Sequence, residues 1–464
     1  MKILFLYTDI NVRGGAKSYQ FAVGTLSAVL KEHGHDTKLH YMFKSYDVKS
    51  VKAQIDTYQP DVICFSAVSP QYRYVRDLIK DLQPFEAFTI LGGQHATLVP
   101  ECLAELEGLD AICIGEGEYP LLELVEGLEN GHHLENLKNI WIKNENGQII
   151  KNPTRPFVEN LDELPSPDRE IFDYQEIIDS DFDTALFMFS RGCPYKCTFC
   201  SNHALRKKQS GKYIRFRSVD SCLQEIREVV SKYTVKVLYF NDDCFTAKRD
   251  FVKEFCLKYP KEFSLPFDIN ARSENLSQEI CSLLKNAGCR RVSIGIESGS
   301  EKFRKEVLGR HQSNETIINA FKACQMSGLK TKSFNIVGFP YETAEIFQET
   351  INLNARINPD SVIIGIFEPY PGTELAEICI KEKFLNSNVE ETAFVGRTDT
   401  ILDMPQFSRH EIHKCFRNFG WNVYRQNSLR KALMYKIYYS PYGEHLIRLL
   451  SPVKNMIRKF TMDV

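Results

Sequence analysis

The sequence predicts an α/β protein made of two parallel-sheet units and a helical end, and three observations predict it. Short apolar runs alternate with stretches of helical spacing from the start of the chain. A stretch rich in proline (Pro153, Pro156, Pro165 and Pro167) then interrupts the alternation. A second alternation begins near residue 184 and supplies six further apolar runs. A chain of 464 residues is too long for one ordinary core, which fits the division.

In the first unit, residues 2–7 read as a buried strand and residues 18–33 as a helix that stops at Gly34. Residues 62–66, 89–91 and 111–114 are further strands, the last two running into Gly92-Gly93 and Gly115-Glu116-Gly117. This order gives a doubly wound parallel sheet, in which ligands sit beyond the strand C-termini. Small and polar residues gather at those ends: Gly14 and Gly15, Ser66 and Ser69, Gly92 to His95, and Gly115 to Glu118. Residues 140–143 and 148–151 flank Asn144-Glu145-Asn146-Gly147, a hairpin signal. The expected divisions are residues 1–150, a linker at 151–183, a second unit at 184–400 and a helical region at 401–464. In the second unit residues 185–189, 235–240, 266–270, 291–296, 331–337 and 361–367 read as strands separated by helices. Six such units make an open three-quarter barrel with its working groups at the strand C-termini.

A formal net charge of −2 gives no polyelectrolyte attraction, and nucleic acid is not an expected partner. The apolar start is interrupted by Asp9 and lacks a basic flank and a cleavage site, so it reads as a strand and not a signal peptide. No apolar run is long enough to span a bilayer, and the expected location is the cytoplasm. Most of the 14 cysteines stand singly, as small buried side chains do in a reducing compartment.

Cys193, Cys197 and Cys200 stand apart, in C-x3-C-x2-C spacing after the first barrel strand. Three thiolates on one loop suit three corners of a 4Fe-4S cube, leaving one iron open to chelate an amine and a carboxylate. A zinc site needs a fourth ligand, for which only His203 is near. A two-cysteine redox pair leaves Cys193 unexplained.

On this trio, with Phe199 before its last cysteine, the chain resembles the radical S-adenosylmethionine superfamily over roughly residues 180–380. The resemblance implies that the open iron holds S-adenosylmethionine and that reductive cleavage yields a 5′-deoxyadenosyl radical. It implies cofactor contacts from Asp242 and Asp243 after the second barrel strand, with a helix N-cap as the equal alternative. It pairs Glu297 in Ser293-Ile294-Gly295-Ile296-Glu297 with Arg310, for ribose and for the cofactor carboxylate, against a structural ion pair. Arg272 and Asn335 are further candidates for ribose or substrate, while Gly338-Phe339-Pro340 and Pro369-Tyr370-Pro371-Gly372-Thr373 read as turns.

Gly92-Gly93-Gln94-His95 and Gly115-Glu116-Gly117-Glu118 resemble the cobalamin-binding domain fused to one radical subgroup. Glycines let backbone approach a flat corrin, and Ser66 and Ser69 are candidate partners of its nucleotide tail. The D-x-H-x-x-G pattern that supplies an axial histidine is absent, so binding without histidine ligation is expected, with His95 near the corrin edge or the domain interface. The implied architecture is a Rossmann-like cobalamin domain, a partial (β/α)6 TIM-like radical barrel and a helical end. The implied cofactors are one 4Fe-4S cluster, S-adenosylmethionine and cobalamin, with reduced flavodoxin or ferredoxin as electron donor. Methylation of an unactivated carbon is the favoured reaction, with a radical cyclase resembling the magnesium-protoporphyrin ester cyclase as runner-up. Methylthio transfer and a non-catalytic cobalamin or redox sensor rank lower. The substrate class expected is a small molecule or a lipid-like one. Residues 429–460 carry Arg430, Lys431, Lys436, Arg448, Lys454, Arg458 and Lys459 against Glu444, which fits either peripheral contact with the inner face of a membrane or a solvated helical face.

Overall fold

The computed structural model describes residues 1–10, 16–385 and 397–440. The first sheet has seven strands in the order β2-β1-β3-β4-β5-β6-β7. They are β1 (Lys2–Asp9), β2 (Asp36–Phe43), β3 (Val62–Ser66), β4 (Phe88–Gly92), β5 (Ala111–Cys113), β6 (Ile140–Lys143) and β7 (Ile149–Lys151). β1 to β5 run parallel, and the β6–β7 hairpin adds antiparallel to β5. The hairpin turn forms as its sequence asks: the Asn144 side chain accepts from the N–H groups of Asn146 and Gln148, and Gly147 takes φ +75°. β2 is an edge strand that the sequence reading missed, because its polar residues Asp36, Lys38 and His40 hide the apolar period.

The second sheet is β15-β14-β13-β12-β11-β8, all parallel. It contains β8 (Thr184–Phe187), β11 (Val237–Phe240), β12 (Phe267–Ala271), β13 (Cys289–Glu297), β14 (Lys330–Val337) and β15 (Ser361–Ile366). These are the six predicted runs, joined by helices into an open partial barrel. A two-stranded ribbon, β9 (Ser190–Arg191) with β10 (Arg215–Phe216), brackets the cysteine loop.

Alternation along β1 explains how the units join. Leu4 and Leu6 enter one core, closed by Val75, Leu78 and Ile79 of helix Ser69–Leu82. Ile3 and Phe5 enter the other, which runs without a break into barrel residues Phe187, Leu238 and Phe240. The proline-rich stretch is a strap, not a free linker. Asp168 accepts from Ser27 Oγ at 2.6 Å and pairs with Lys31 at 2.7 Å, while Arg169 pairs with Glu225 at 2.6 Å. Arg169 and Glu225 are 5% and 1% exposed, so removing Glu225 would strand the buried Arg169 charge at a cost of about 3–5 kcal/mol, whereas Glu225 keeps Arg217 as a second partner if Arg169 is lost. Two helices end the described chain, Arg409–Tyr424 and Leu429–Tyr438. The first starts at a Ser408/Glu411 capping box. Residues 441–464, with Glu444, Arg448, Lys454, Arg458 and Lys459, lie outside the described residues.

Candidate active site at the domain interface

The cysteine loop follows β8 and is held from three sides. Asp242 at the end of β11 points back under it, its Oδ1 accepting from Phe189 N at 3.0 Å, from Ser190 N at 2.6 Å and from Ser190 Oγ. Thr198 donates to Leu308 O at 3.2 Å through its N–H and to Val307 O at 2.7 Å through its hydroxyl. Leu375 N donates to Thr198 O at 3.1 Å. Two glycines allow these approaches. Gly192 has φ +84°, and a Cβ there would stand 2.5 Å from Tyr213 O. Gly309 has φ +62°, and a Cβ there would stand 2.8 Å from Lys196 O.

Burial pushes the Cys193 thiol up to about 12 and the Cys200 thiol up to about 11, and binding iron would take the proton from each of these two. Among the described residues no three His, Cys, Asp or Glu side chains converge as a single metal ion requires. Three thiols serving three separate irons have no need to converge on one point. His203 Nε2 is bonded to Glu374 at 3.1 Å. Three thiols on one short loop suit three corners of a cube. Phe199 packs its ring 5.5 Å from that of Phe339.

Above the loop stand two guanidinium groups. Arg310 reaches Cys197 Sγ at 3.8 Å and Glu297 Oε1 at 3.6 Å through Nη1, and donates to Gly295 O through Nη2. Among the described residues its buried Nε has no partner, nor has Nε2 of buried Gln312. Unmet buried donors next to a three-thiol loop suit the carboxylate of an amino-acid cofactor. Glu297 gets its direction from a bulge in β13: the register shifts after Gly295, Glu297 takes φ +65°, and Ser298 N donates back to Ile296 O at 2.9 Å. Burial raises its carboxyl above the usual range, with Arg310 opposing. Arg272 lies 3.9 Å over the Tyr195 ring and donates to Cys197 Sγ at 3.3 Å, Glu274 at 2.7 Å and Gln312 Oε1 at 3.1 Å. That set occupies the guanidinium, so Arg272 supports the loop. Asp243 is near enough for its charge to act on Cys193 and Cys200, and its side chain bonds Asn202.

Three expectations for this site need correction. Asp242 is fully buried and clamps backbone, so it does not meet a cofactor amine. Neither aspartate caps the next helix, whose N-cap is Lys248. Asn335 faces the helix layer: its amide donates to Ser333 Oγ at 3.0 Å and Ile363 O at 3.2 Å, and its oxygen accepts from Asn354 at 2.7 Å. Nothing of it is left for ribose.

A cavity of about 370 Å³ opens between the two units. Its deep end is apolar, formed by Phe5, Cys64, Ile90, Cys113 and Leu121. Its mouth has Ser66, Gly92, Gly93, Gly115 and Gly117 on one side and Met188, Ser190 and Arg191 on the other. A Cβ at Gly92 would have 3.9 Å to its nearest neighbour, so that glycine leaves open space, whereas at Gly93 it would stand 2.8 Å from Ala67 O. A concave, mostly apolar slot with glycines and a few polar groups at its edge is the general form of a ligand or cofactor site.

The expected contacts at this cavity divide. Ser66, Gly92, Gly93 and Gly117 line it. Ser69, Gln94 and His95 do not: Ser69 Oγ lies 3.2 Å from His95 Nδ1, and the imidazole stacks 3.8 Å from the Tyr72 ring. Burial lowers His95 to about 4, so it is neutral. No histidine is among the described residues lining the cavity. Gly14 and Gly15 lie outside the described residues. Glu116 and Glu118 touch the rim; the Glu116 carboxylate is spent between the units, whereas Glu118 gives one oxygen to that network and its buried Oε2 has no partner among the described residues. Glu116 accepts from Arg191 at 2.9 Å, from Arg215 at 2.8 and 2.9 Å and from Val158 N at 2.9 Å. Glu118 accepts from Arg191 at 2.6 Å. Arg191 and Arg215 face each other across the β9–β10 ribbon. No sequence spacing signals them; only the fold brings residues 116 and 191 together.

Two family models meet here: "Radical SAM superfamily" over residues 187–353 and "B12 binding domain" over residues 8–125. This chain is a radical S-adenosylmethionine enzyme with a B12-binding domain. Its cofactors are a 4Fe-4S cluster, S-adenosylmethionine and cobalamin. An uncharacterized methyltransferase of Pyrococcus horikoshii is 28% identical, over 90% of this chain and 89% of the relative. The anaerobic magnesium-protoporphyrin IX monomethyl ester cyclase of Rubrivivax gelatinosus is 27% identical, over 81% and 69%. The solved structure of OxsB, a cobalamin-dependent S-adenosylmethionine radical enzyme with aqua-cobalamin and S-adenosylmethionine bound, shares the fold. Its TM-score is 0.73 at 18% identity, covering 99% of this chain and 72% of that one.

Proposed function

We propose that this enzyme methylates an unactivated carbon of a small-molecule or lipid-like substrate. One observation carries the reading: the cavity of the B12-binding unit shares Ser190 and Arg191 with the strand that leads into Cys193. The two cofactor sites are thus neighbours across one short piece of backbone. When bound, the cluster with S-adenosylmethionine supplies reductive radical formation, and cobalamin supplies a methyl carrier. The chain's own residues supply position. Cys193, Cys197 and Cys200 hold three irons, and Arg310, Gln312, Glu297 and Asp243 orient the nucleoside cofactor. Ser66, Gly92, Gly93 and Gly117 would admit cobalamin, in a cavity that no histidine lines among the described residues. Asp242, Arg272 and the Glu116–Arg191 network fix the loop, and the strap over the interface excludes water. The units are residues 1–150, 151–183, 184–400 and 401–464. Reduced flavodoxin or ferredoxin is the electron donor, and the basic carboxy-terminal region makes peripheral membrane contact.

The second reading, radical cyclisation, is favoured by the likeness to the cyclase, a relative covering 81% of this chain. Label transfer separates the two. With methyl-deuterated S-adenosylmethionine, reductant and candidate substrates, deuterated methyl in the product together with deoxyadenosine supports methylation. Deoxyadenosine with an unlabelled, dehydrogenated or cyclised product contradicts it.

A further inference from the structure

Helices Arg409–Tyr424 and Leu429–Tyr438 pack as a hairpin against the last barrel strands, burying Phe416, Phe419, Tyr424, Tyr435 and Tyr439. The second helix is also apolar on its outer side. Leu429, Leu433 and Ile437 are 59, 49 and 43% exposed and stand at i, i+4 and i+8, one continuous stripe. Among the described residues the other exposed large apolar side chains, Val68, Leu257, Met326, Tyr341 and Ile380, lie singly in separate parts of the chain, as on any protein surface.

The charge around the stripe is one-sided. Residues 412–443 contain no Asp or Glu and six Lys or Arg, in a chain of net charge −2. Lys431 turns inward to Asp360 O, and the other five are exposed. On the helix Arg430 and Lys436 flank the stripe. On the neighbouring helix Lys414, Arg417 and Arg425 follow at helical spacing, with half-buried Trp421 between them. Lys436 Nζ donates to Asn418 Oδ1, which sets the two faces side by side.

We propose that this hairpin face docks on an anionic lipid bilayer. An apolar stripe bordered by cations is what an interfacial helix presents. A second copy of the same face would bring like charges together, and a nucleic acid would leave the stripe in water. The face lies at the opposite end from the cysteine loop: Tyr424 Oη donates to Pro359 O, Lys431 Nζ donates to Asp360 O, and Tyr435 Oη accepts from Val362 N, all at the start of β15. Docking therefore tethers the enzyme and leaves the barrel mouth open to the cell interior. It sharpens the peripheral contact proposed above and stands whichever reaction the enzyme performs.

The test is co-sedimentation of full-length, cluster-loaded protein with vesicles of phosphatidylcholine alone or mixed with phosphatidylglycerol. Binding is expected only to the mixed vesicles and should weaken with added salt. Leu433→Ser with Ile437→Ser should weaken it about ten-fold or more. Arg417→Gln, Arg425→Gln and Arg430→Gln should each weaken it about five-fold at low salt. Iron content and deoxyadenosine release, measured on the same variants, should not change, which separates a lost surface from a lost fold or a wrong reaction. Equal binding to both vesicle types, or unchanged binding by the variants, overturns the proposal. So does a change of oligomeric state in the serine variants with no effect on vesicles, which would assign the face to a second copy.

Discussion

The cysteine loop and the cobalamin cavity adjoin, yet the chain builds them by opposite means. The loop is eight residues from Cys193 to Cys200, held at Thr198 by bonds to Val307, Leu308 and Leu375, while Asp242 fixes the backbone of Phe189 and Ser190 that leads into it. The cavity is assembled from side chains spread between Phe5 and Arg217, and its essential feature at Gly92 is empty space. The loop is a clamp on a few atoms, whereas the cavity is a shape held open by two domains. The clamp should fail all at once when a ligand goes. The cavity should degrade by degrees as it is filled or as its walls part.

The largest effect should come from Cys197→Ala, with loss of the cluster and deoxyadenosine release at background while cobalamin binding persists. Iron and cobalt analysis of one sample checks both halves, and loss of cobalt as well would dissolve the distinction between clamp and shape. Gly92→Leu is the reciprocal change. It should leave iron unchanged and weaken cobalamin binding about ten-fold or more by overfilling the slot, read by spectroscopic titration. Arg191→Gln attacks the link between the two regions. Arg191 is a quarter exposed, so removing it should cost about 2–3 kcal/mol of stability in denaturant, with Glu118 left short of a partner.

A further effect concerns pH. Buried Glu342 holds the Gly338 turn through the N–H groups of Gly338 and Phe339, and burial raises its carboxyl to about 8. The folded protein thus binds this proton more tightly than the unfolded chain. Its contribution is complete below the ordinary 4.5 and is lost as pH rises toward 8. Stability should fall across that window by at most about 1.4 kcal/mol per pH unit, and Glu342→Gln should flatten the slope. An unchanged slope in denaturation at several pH values would show that Glu342 is ionised in the fold.

This contrast also explains what the sequence disclosed. All six barrel strands and the cysteine trio are local patterns, and each reads directly: an apolar run needs only its neighbours, and three thiols on one loop need only their spacing. Polar residues near those patterns misled. Asp242 and Asn335 carry the right chemistry, but whether such a side chain faces cleft or core depends on how the loop and the helix layer close around it. Glu116 and Glu118 sat in the right segment but were claimed by Arg191 and Arg215, partners about 75 and 100 residues away that only the tertiary fold brings near. The bulge that aims Glu297 was invisible because φ is not written in a residue name, and the basic, apolar-rich stretch from residue 429 was legible only as composition, because exposure is not written there either.

The central claim, two cofactors on one chain, is tested most directly by anaerobic expression with cobalamin, cluster reconstitution, and iron, sulfide and cobalt analysis with electron paramagnetic resonance. About four irons and one cobalt per chain is the predicted result, with the cluster signal absent in Cys197→Ala. Iron without cobalt would leave a radical enzyme whose amino-terminal cavity serves another ligand, and a chain that takes up no cluster would contradict the account at its root.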